Sequence, residues 1–137
     1  MSRGSLPTQA CERRTLLDAQ DLQRTVARLC SQVLESAGDS KRLLLLGIPT
    51  RGAALARVLA SELEQELGYA VDQGVLDPTF HRDDLERVGT RLSEPTALPV
   101  PVEGREVVLV DDVVFTGRTV RAALEALHTW GRPACVK

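Results

Sequence analysis

The sequence predicts an α/β fold built on a parallel sheet. Two observations carry that prediction. Short, continuous apolar runs, RLLLLG (42–47) and REVVLVD (105–111), alternate with longer amphipathic segments. Such runs suit strands buried on both faces, and the segments between them suit helices that cross over between parallel strands. Composition sets the rest of the frame. The chain has 137 residues, which fits one domain, and 43% of them are hydrophobic, enough for a single core. Aromatic residues make up 3%, so that core must be aliphatic.

The elements follow in order. The N-terminal stretch MSRGSLPTQ is polar, carries Gly and Pro, and has no apolar signal core, so residues 1–15 read as a loose tail. Residues 18–38 read as a helix with Leu22, Val26, Leu29 and Val33 on one face. Asp18 suits its N-cap, with Asp21 three residues on, and Gly38 suits its stop. RLLLLG follows as a buried strand, then the turn Ile48-Pro49-Thr50-Arg51-Gly52. The second helix, 52–68, aligns Leu55, Leu59, Leu63 and Leu67 and ends at Gly68. DQGVLDPTFH (72–81) reads as a strand with Pro78 marking an edge or irregularity. Residues 82–104 are polar, contain three prolines and lack periodicity, so they read as a functional flap or arm. REVVLVD is the next strand and 117–131 a third amphipathic helix. RPACVK opens a further strand at Ala134 close to the end of the sequence, which points to a chain shorter than its full domain.

Charge and cysteine usage narrow the function. Net charge is −2 with 26% charged residues, so no global field favours nucleic acid or anionic membrane. A local basic face stays open, because arginine far outnumbers lysine. Arg13, Arg14, Arg24 and Arg28 supply some of it, with acids interspersed, and a solvated helix face would look the same. Cys11, Cys30 and Cys135 form no CxxC pair and no metal-ligand spacing, so they read as free thiols of a reducing cytosol. Apolar runs are far shorter than a membrane span.

The chemistry concentrates at two strand ends, where parallel α/β sheets bind ligands. VVLVDDVVFTGRT (107–119) places Asp111 and Asp112 after an apolar strand. Val113, Val114 and Phe115 then lead to Thr116, Gly117, Arg118 and Thr119, which open a helix. A turn rich in Thr and Gly at a helix N-terminus offers amides, hydroxyls and the positive dipole end, an anion cradle. The two carboxylates suit the opposite role. They can accept hydrogen bonds from sugar hydroxyls or hold a divalent cation at one remove. Together they describe a ribose 5-phosphate site. The plainer reading is a helix N-cap pair and an ordinary turn. The second strand end, Gly47 to Gly52, again opens a helix. Arg51 is a fork-shaped cation and Gly52 permits close backbone approach, which suits a second anion such as pyrophosphate. A plain turn is the alternative here.

The 107–119 run resembles the phosphoribosyl-pyrophosphate (PRPP) motif of the type I phosphoribosyltransferases. Within that superfamily the chain resembles the PyrR family of pyrimidine-operon attenuation regulators and uracil phosphoribosyltransferases. LLDAQDLQRTVARLCSQVLE is similar to that family's opening helix, LLLLGIPTRGAALARVLA to its pyrophosphate loop, and GVLDPTFHRDDL to the strand entering its active-site flap. The likeness runs from about Leu16 onward.

The resemblance implies a type I phosphoribosyltransferase domain over 16–137, with a flexible flap, lacking the C-terminal base-recognition hood. It implies that uracil and PRPP give UMP and pyrophosphate. Asp111 and Asp112 would bind the ribose hydroxyls, and Thr116, Gly117, Arg118 and Thr119 the 5-phosphate. Val113, Val114 and Phe115 belong to the same substrate-binding stretch. Thr50, Arg51 and Gly52 would receive pyrophosphate through a strained or cis peptide that exposes an amide. Arg82, Asp83 and Asp84 would begin the flap. Asp111, Asp112, Arg51 and Arg82 would carry catalysis, with no metal ligand of the protein's own. Mg2+ would arrive with PRPP, held by its oxygens and by water.

The implied partners are PRPP, uracil, UMP or UTP and a messenger-RNA hairpin. A cytoplasmic homo-oligomer, dimer or larger, is implied, with no membrane. Pro49, Pro78 and His81 depart from residues frequent in the family. His81 suits stacking or donation in the flap, or plain exposure, and His128 a surface or packing role. Three rivals stay open: a non-catalytic nucleotide-sensing RNA binder, a purine phosphoribosyltransferase, and an inactive dimerising fragment.

Overall fold

The structure is a computed structural model that describes residues 13–79 and 95–137. Four parallel strands form one sheet in the order β2-β1-β3-β4. They are β1 (Leu43–Gly47), β2 (Asp72–Val75), β3 (Glu106–Val110) and β4 (Cys135–Val136). The helices are α1 (Ala19–Ser36), α2 (Arg51–Leu67) and α3 (Arg118–His128). A short 3-10 turn, Ser40–Arg42, leads into β1.

β1 explains the layering. Every one of its residues is buried. Its side chains alternate, as the two-residue period of a strand requires. Leu43 and Leu45 point to one face and pack with Leu59, Leu63 and Cys30 of the helices and with Val108 and Val110 of β3. Leu44 and Leu46 point to the other and pack with Val107, Ala123 and Leu127. So α2, with α1 outside it, covers one face, and α3 covers the opposite face. Fully burying each such leucine contributes about 2 kcal/mol, and four in a row fix β1 at the centre.

α1 begins as its sequence dictates. Asp18 accepts from the Asp21 backbone at 2.8 Å, and Asp21 accepts from the Asp18 backbone at 3.2 Å, a reciprocal capping box. Of the predicted face, Val26, Leu29 and Val33 pack on the core, but Leu22 stays 52% exposed. The helix ends at Ser36 with Ala37 as cap, before Gly38. Gly38 has another reason to be small: its amide donates to Glu106 Oε2 at 3.0 Å, and a Cβ there would lie 3.0 Å from Oε1.

α2 ends as expected, with Gly68 left-handed at φ 75° and its N–H on Glu64 O. Its buried stripe, however, centres on Gly52, Ala53, Ala56 and Ala60 with Leu59 and Leu63, while Leu55 and Leu67 are only partly covered. Small residues let the helix lie close on the sheet, and the leucine periodicity alone did not reveal that.

The strand expected over 72–81 stops at Val75. Asp77 Oδ1 accepts from the Thr79 amide at 3.0 Å and from its hydroxyl, turning the chain just where Pro78 has no N–H to give. The end of the segment read as a flap returns to the sheet. Ala97 pairs antiparallel with Val75, Thr96 Oγ1 accepts from the Asp77 amide at 2.9 Å, and Val102 is fully buried. The rest of that segment, with His81, lies outside the described residues, as do Cys11 and most of the predicted tail. α3 stops at His128, short of the Gly131 expected, and His128 is exposed. The last strand forms as anticipated, pairing Cys135 and Val136 with Glu106 and Val107. Among the described residues no helix is long and apolar enough to cross a membrane.

Among the described residues Glu106 is the buried charge of the core, 6% exposed. It takes the amides of Gly38 and Asp39 at 3.0 and 2.9 Å and the Lys137 ammonium at 2.9 Å. Lys137 also donates to Ser36 O. The carboxylate thus joins the loop after α1 to β3 and β4. Hydrogen bonds from Lys137, then Gly38 and Asp39, hold its pKa down to about 2 from an ordinary 4.5. The folded state therefore binds fewer protons at this group than the unfolded chain. Its stabilisation is full above about pH 4.5 and fades as pH falls towards about 2. Glu106→Gln is expected to lower stability at pH 7 and to flatten the acid limb between those values. Urea denaturation at pH 7, 4.5 and 3 measures both; an unchanged acid limb in the variant would assign the acid sensitivity elsewhere.

Candidate active site at the sheet's carboxyl edge

The chain leaves β1 for β2 on one side of the sheet and then passes to β3 on the other. β1 and β3 are therefore neighbours whose outgoing turns diverge, and ligands bind at such a switch point. Gly47 is level with Val110 in the ladder. The turn after β1 and the turn after β3 consequently start side by side.

Two glycines bring them into contact. A Cβ on Gly52 would fall 2.3 Å from Val110 O, and one on Gly47 would fall 2.4 Å from Ala53 Cα. Ile48 N–H donates to the same Val110 O at 2.9 Å. The start of α2 is thus pressed against the end of β3. Gly52 was expected for close backbone approach, and this is the approach. The role of Gly47 was not foreseen; a glycine ending an otherwise all-leucine strand was the available signal. The Pro49–Thr50 peptide is cis, as the resemblance implied.

The acids lie open at this edge. Asp111 is partly buried and the Asp112 side chain 34% exposed. They are not the cap of the following helix: that position belongs to Gly117, left-handed at φ 79°. The Asp112 amide donates to Asp111 Oδ1 at 2.8 Å. Arg51 Nη1 reaches across from α2 to Asp112 Oδ2 at 3.3 Å. Burial pushes the Asp112 carboxyl up, but hydrogen bonding with Arg51 and with Asp111 outweighs it, and the group titrates below the ordinary aspartate range. Asp112 is thus held as the carboxylate, an acceptor.

Beyond the acids, residues 113–120 line a cavity of about 240 Å³. Val113, Val114 and Phe115 are exposed on it, Phe115 at 93%. The Arg118 amide lies a long 3.4 Å from Thr116 Oγ1. The N-cap residues Thr50 and Gly117 make no side-chain cap bond of their own, and the first turns of α2 and α3 both open at this edge. Val120 also lines the cavity and was missed; it sits one place beyond the predicted turn. Thr50, Arg51, Gly52, Asp111, Asp112 and 113–119 are therefore gathered at one edge. Arg82, Asp83 and Asp84 lie outside the described residues.

Comparison with known proteins bears on the family and the fold. The phosphoribosyl transferase domain model matches residues 12–137. The bifunctional protein PyrR of Thermosynechococcus vestitus is 52% identical over 122 residues, 88% of this chain and 67% of that one. Its counterpart in Leifsonia xyli is 49% identical over 129 residues, 90% of this chain and 70% of that one. The chain belongs to the PyrR family of phosphoribosyltransferases. It spans about two thirds of the length of these PyrR relatives. Solved structures share the fold at lower identity. A hypoxanthine phosphoribosyltransferase from Staphylococcus aureus has a TM-score of 0.62 at 19% identity, covering 91% of this chain and 64% of its own. A hypoxanthine-guanine-xanthine phosphoribosyltransferase has 0.58 at 22%, covering 90% and 63%. The PyrR-family parallel sheet and its helices on both faces are those of the type I phosphoribosyltransferases.

Gly52→Ala tests the contact on which the site is built. The added methyl meets backbone, which must move, and overpacking of this kind costs about 2 kcal/mol. The urea midpoint should fall accordingly. An unchanged midpoint would show that α2 and β3 are not held this closely.

Proposed function

We propose that this chain binds PRPP at the β1–β3 edge and transfers its phosphoribosyl group to uracil, releasing UMP and pyrophosphate. The observation that carries the proposal is the meeting of the two turns, with Arg51 on Asp112 at 3.3 Å. An anion cradle for the 5-phosphate, acceptors for the sugar and a cationic turn for pyrophosphate lie in the order the substrate needs them.

Each group has a role that follows from its chemistry. Asp111 and Asp112 accept from the ribose hydroxyls, which orients the ring. The amides of residues 116–119 and the Thr116 and Thr119 hydroxyls donate to the 5-phosphate. The Thr50–Gly52 turn receives the departing pyrophosphate, with Arg51 offsetting its charge. Exchange at the anomeric carbon through an oxocarbenium-like state needs positioning and charge stabilisation more than a strong base. Arg82, Asp83 and Asp84 belong to a flap that excludes water from PRPP. The hard oxygens of Asp111 and Asp112 suit a Mg2+ ion that brings most of its ligands with PRPP. Among the described residues no group of three or more His, Cys, Asp or Glu side chains is placed to hold an ion by itself. When bound, the ion neutralises charge on the leaving pyrophosphate.

The PyrR relatives are named as bifunctional, and the proposal extends to a second role: control of pyrimidine genes through a messenger-RNA hairpin, by a cytoplasmic homo-oligomer. Arg13, Arg14, Arg24 and Arg28 are exposed, which supports an RNA-facing surface, although Arg24 also pairs with Asp21 at 3.5 Å. Affinity for such a hairpin should fall steeply with salt.

Uracil-dependent release of pyrophosphate from PRPP tests the transferase. Release driven by hypoxanthine or guanine instead would reassign the base, and no release with any base would leave a nucleotide sensor. Thr116→Val removes a donor to a charged phosphate and should weaken PRPP binding about tenfold or more, with circular dichroism unchanged. Calorimetric titration giving equal affinities would remove Thr116 from the phosphate cradle.

A further inference from the structure

The Arg51–Asp112 ion pair joins the two strand-end turns. Arg51 is the first residue of α2 and Asp112 follows β3. On the phosphoribosyl reading, which this inference rests on, the two groups serve different parts of one ligand. Arg51 meets the pyrophosphate, and Asp112 meets the ribose hydroxyls. In the structure each instead satisfies the other, at 3.3 Å.

We propose that this pair couples the two half-sites, so that pyrophosphate and the ribose phosphate each tighten the binding of the other. The Arg51 side chain is 83% exposed, and an ion pair held this loosely is weak. A polyanionic pyrophosphate outcompetes a single carboxylate for the guanidinium. Asp112 then loses one of the hydrogen bonds that offset its burial, and the Oδ2 that Arg51 occupied is open to another donor. Hydroxyl donors from ribose are worth more to Asp112 in that state. The converse holds by linkage: hydroxyls that engage Asp112 release Arg51 for the anion, and the two effects must be equal in size. Arg51 and Asp112 are thus positioning residues for each other's ligand as well as binders of their own.

The sign is diagnostic. Direct repulsion between two anionic ligands predicts mutual weakening, the opposite result. Affinity for ribose 5-phosphate is measured by calorimetry with and without saturating inorganic pyrophosphate, in EDTA so that no divalent ion links the two. Breaking an exposed pair corresponds to a gain of about 1.5- to 5-fold. In Arg51→Gln and in Asp112→Asn the gain should vanish, falling to unity or below, whatever either variant does to each affinity alone. A gain that both variants retain, or its absence in the unaltered chain, overturns the coupling. Failure of ribose 5-phosphate to bind the unaltered chain overturns the phosphoribosyl reading and this inference with it.

Discussion

The close approach of the Gly52 backbone to the Val110 carbonyl is the constraint on which the rest of the site depends. No side chain larger than hydrogen fits between them, since a Cβ would lie 2.3 Å from that oxygen. Gly47 makes the same allowance one turn earlier, against Ala53. With both positions empty of side chain, α2 settles onto the ends of β1 and β3 rather than beside them. Its first residue then stands over the neighbouring strand's outgoing turn. That is why Arg51 reaches Asp112 although 61 positions separate them in the chain.

Charge is sorted along the sheet by the same geometry. At the amino edge, Glu106 is buried, fully paired and stabilising, tied to Gly38, Asp39 and Lys137. Arg105 works there too, donating to Leu43 O at 3.1 Å and to Asp72. These groups close the fold. At the carboxyl edge the Arg51–Asp112 pair is exposed and lies beside the N-termini of α2 and α3. Carboxylates beside positive helix ends are favourably placed, and together they suit a ligand that carries both hydroxyls and phosphates. An exposed pair such as Arg51–Asp112 adds little to folding, so its geometry matters for where each group waits.

Much of this was legible in the amino-acid string. The buried strand over Leu43–Leu46 followed from four consecutive leucines, and the α1 start from Asp18 and Asp21. The two turns were picked out by Asp111, Asp112 and the Thr-Gly-Arg-Thr run beside Thr50, Arg51 and Gly52. Less legible were element ends. Gly38 looked like a helix stop, yet it is small to admit the Glu106 carboxylate. Residues 76–79 looked like strand, yet Asp77 bends them into a turn. Residues 97–102 looked like an arm, yet they lie against the sheet with Val102 in the core. The Gly38 and 97–102 misses involve partners distant in sequence, which local pattern does not encode, whereas the 76–79 turn is local, made by Asp77 and Thr79 around Pro78.

The sequence by itself determined the alternation of strands and helices, the aliphatic core and the chemical character of both turns, because hydropathy period and residue type act over a few neighbouring positions. Tertiary structure decided that β1 and β3 are adjacent, that α2 lies on glycine, and that a guanidinium from one turn rests on a carboxylate of the other. Those facts depend on distances between segments some sixty residues apart, which come into being when the helices pack on the sheet.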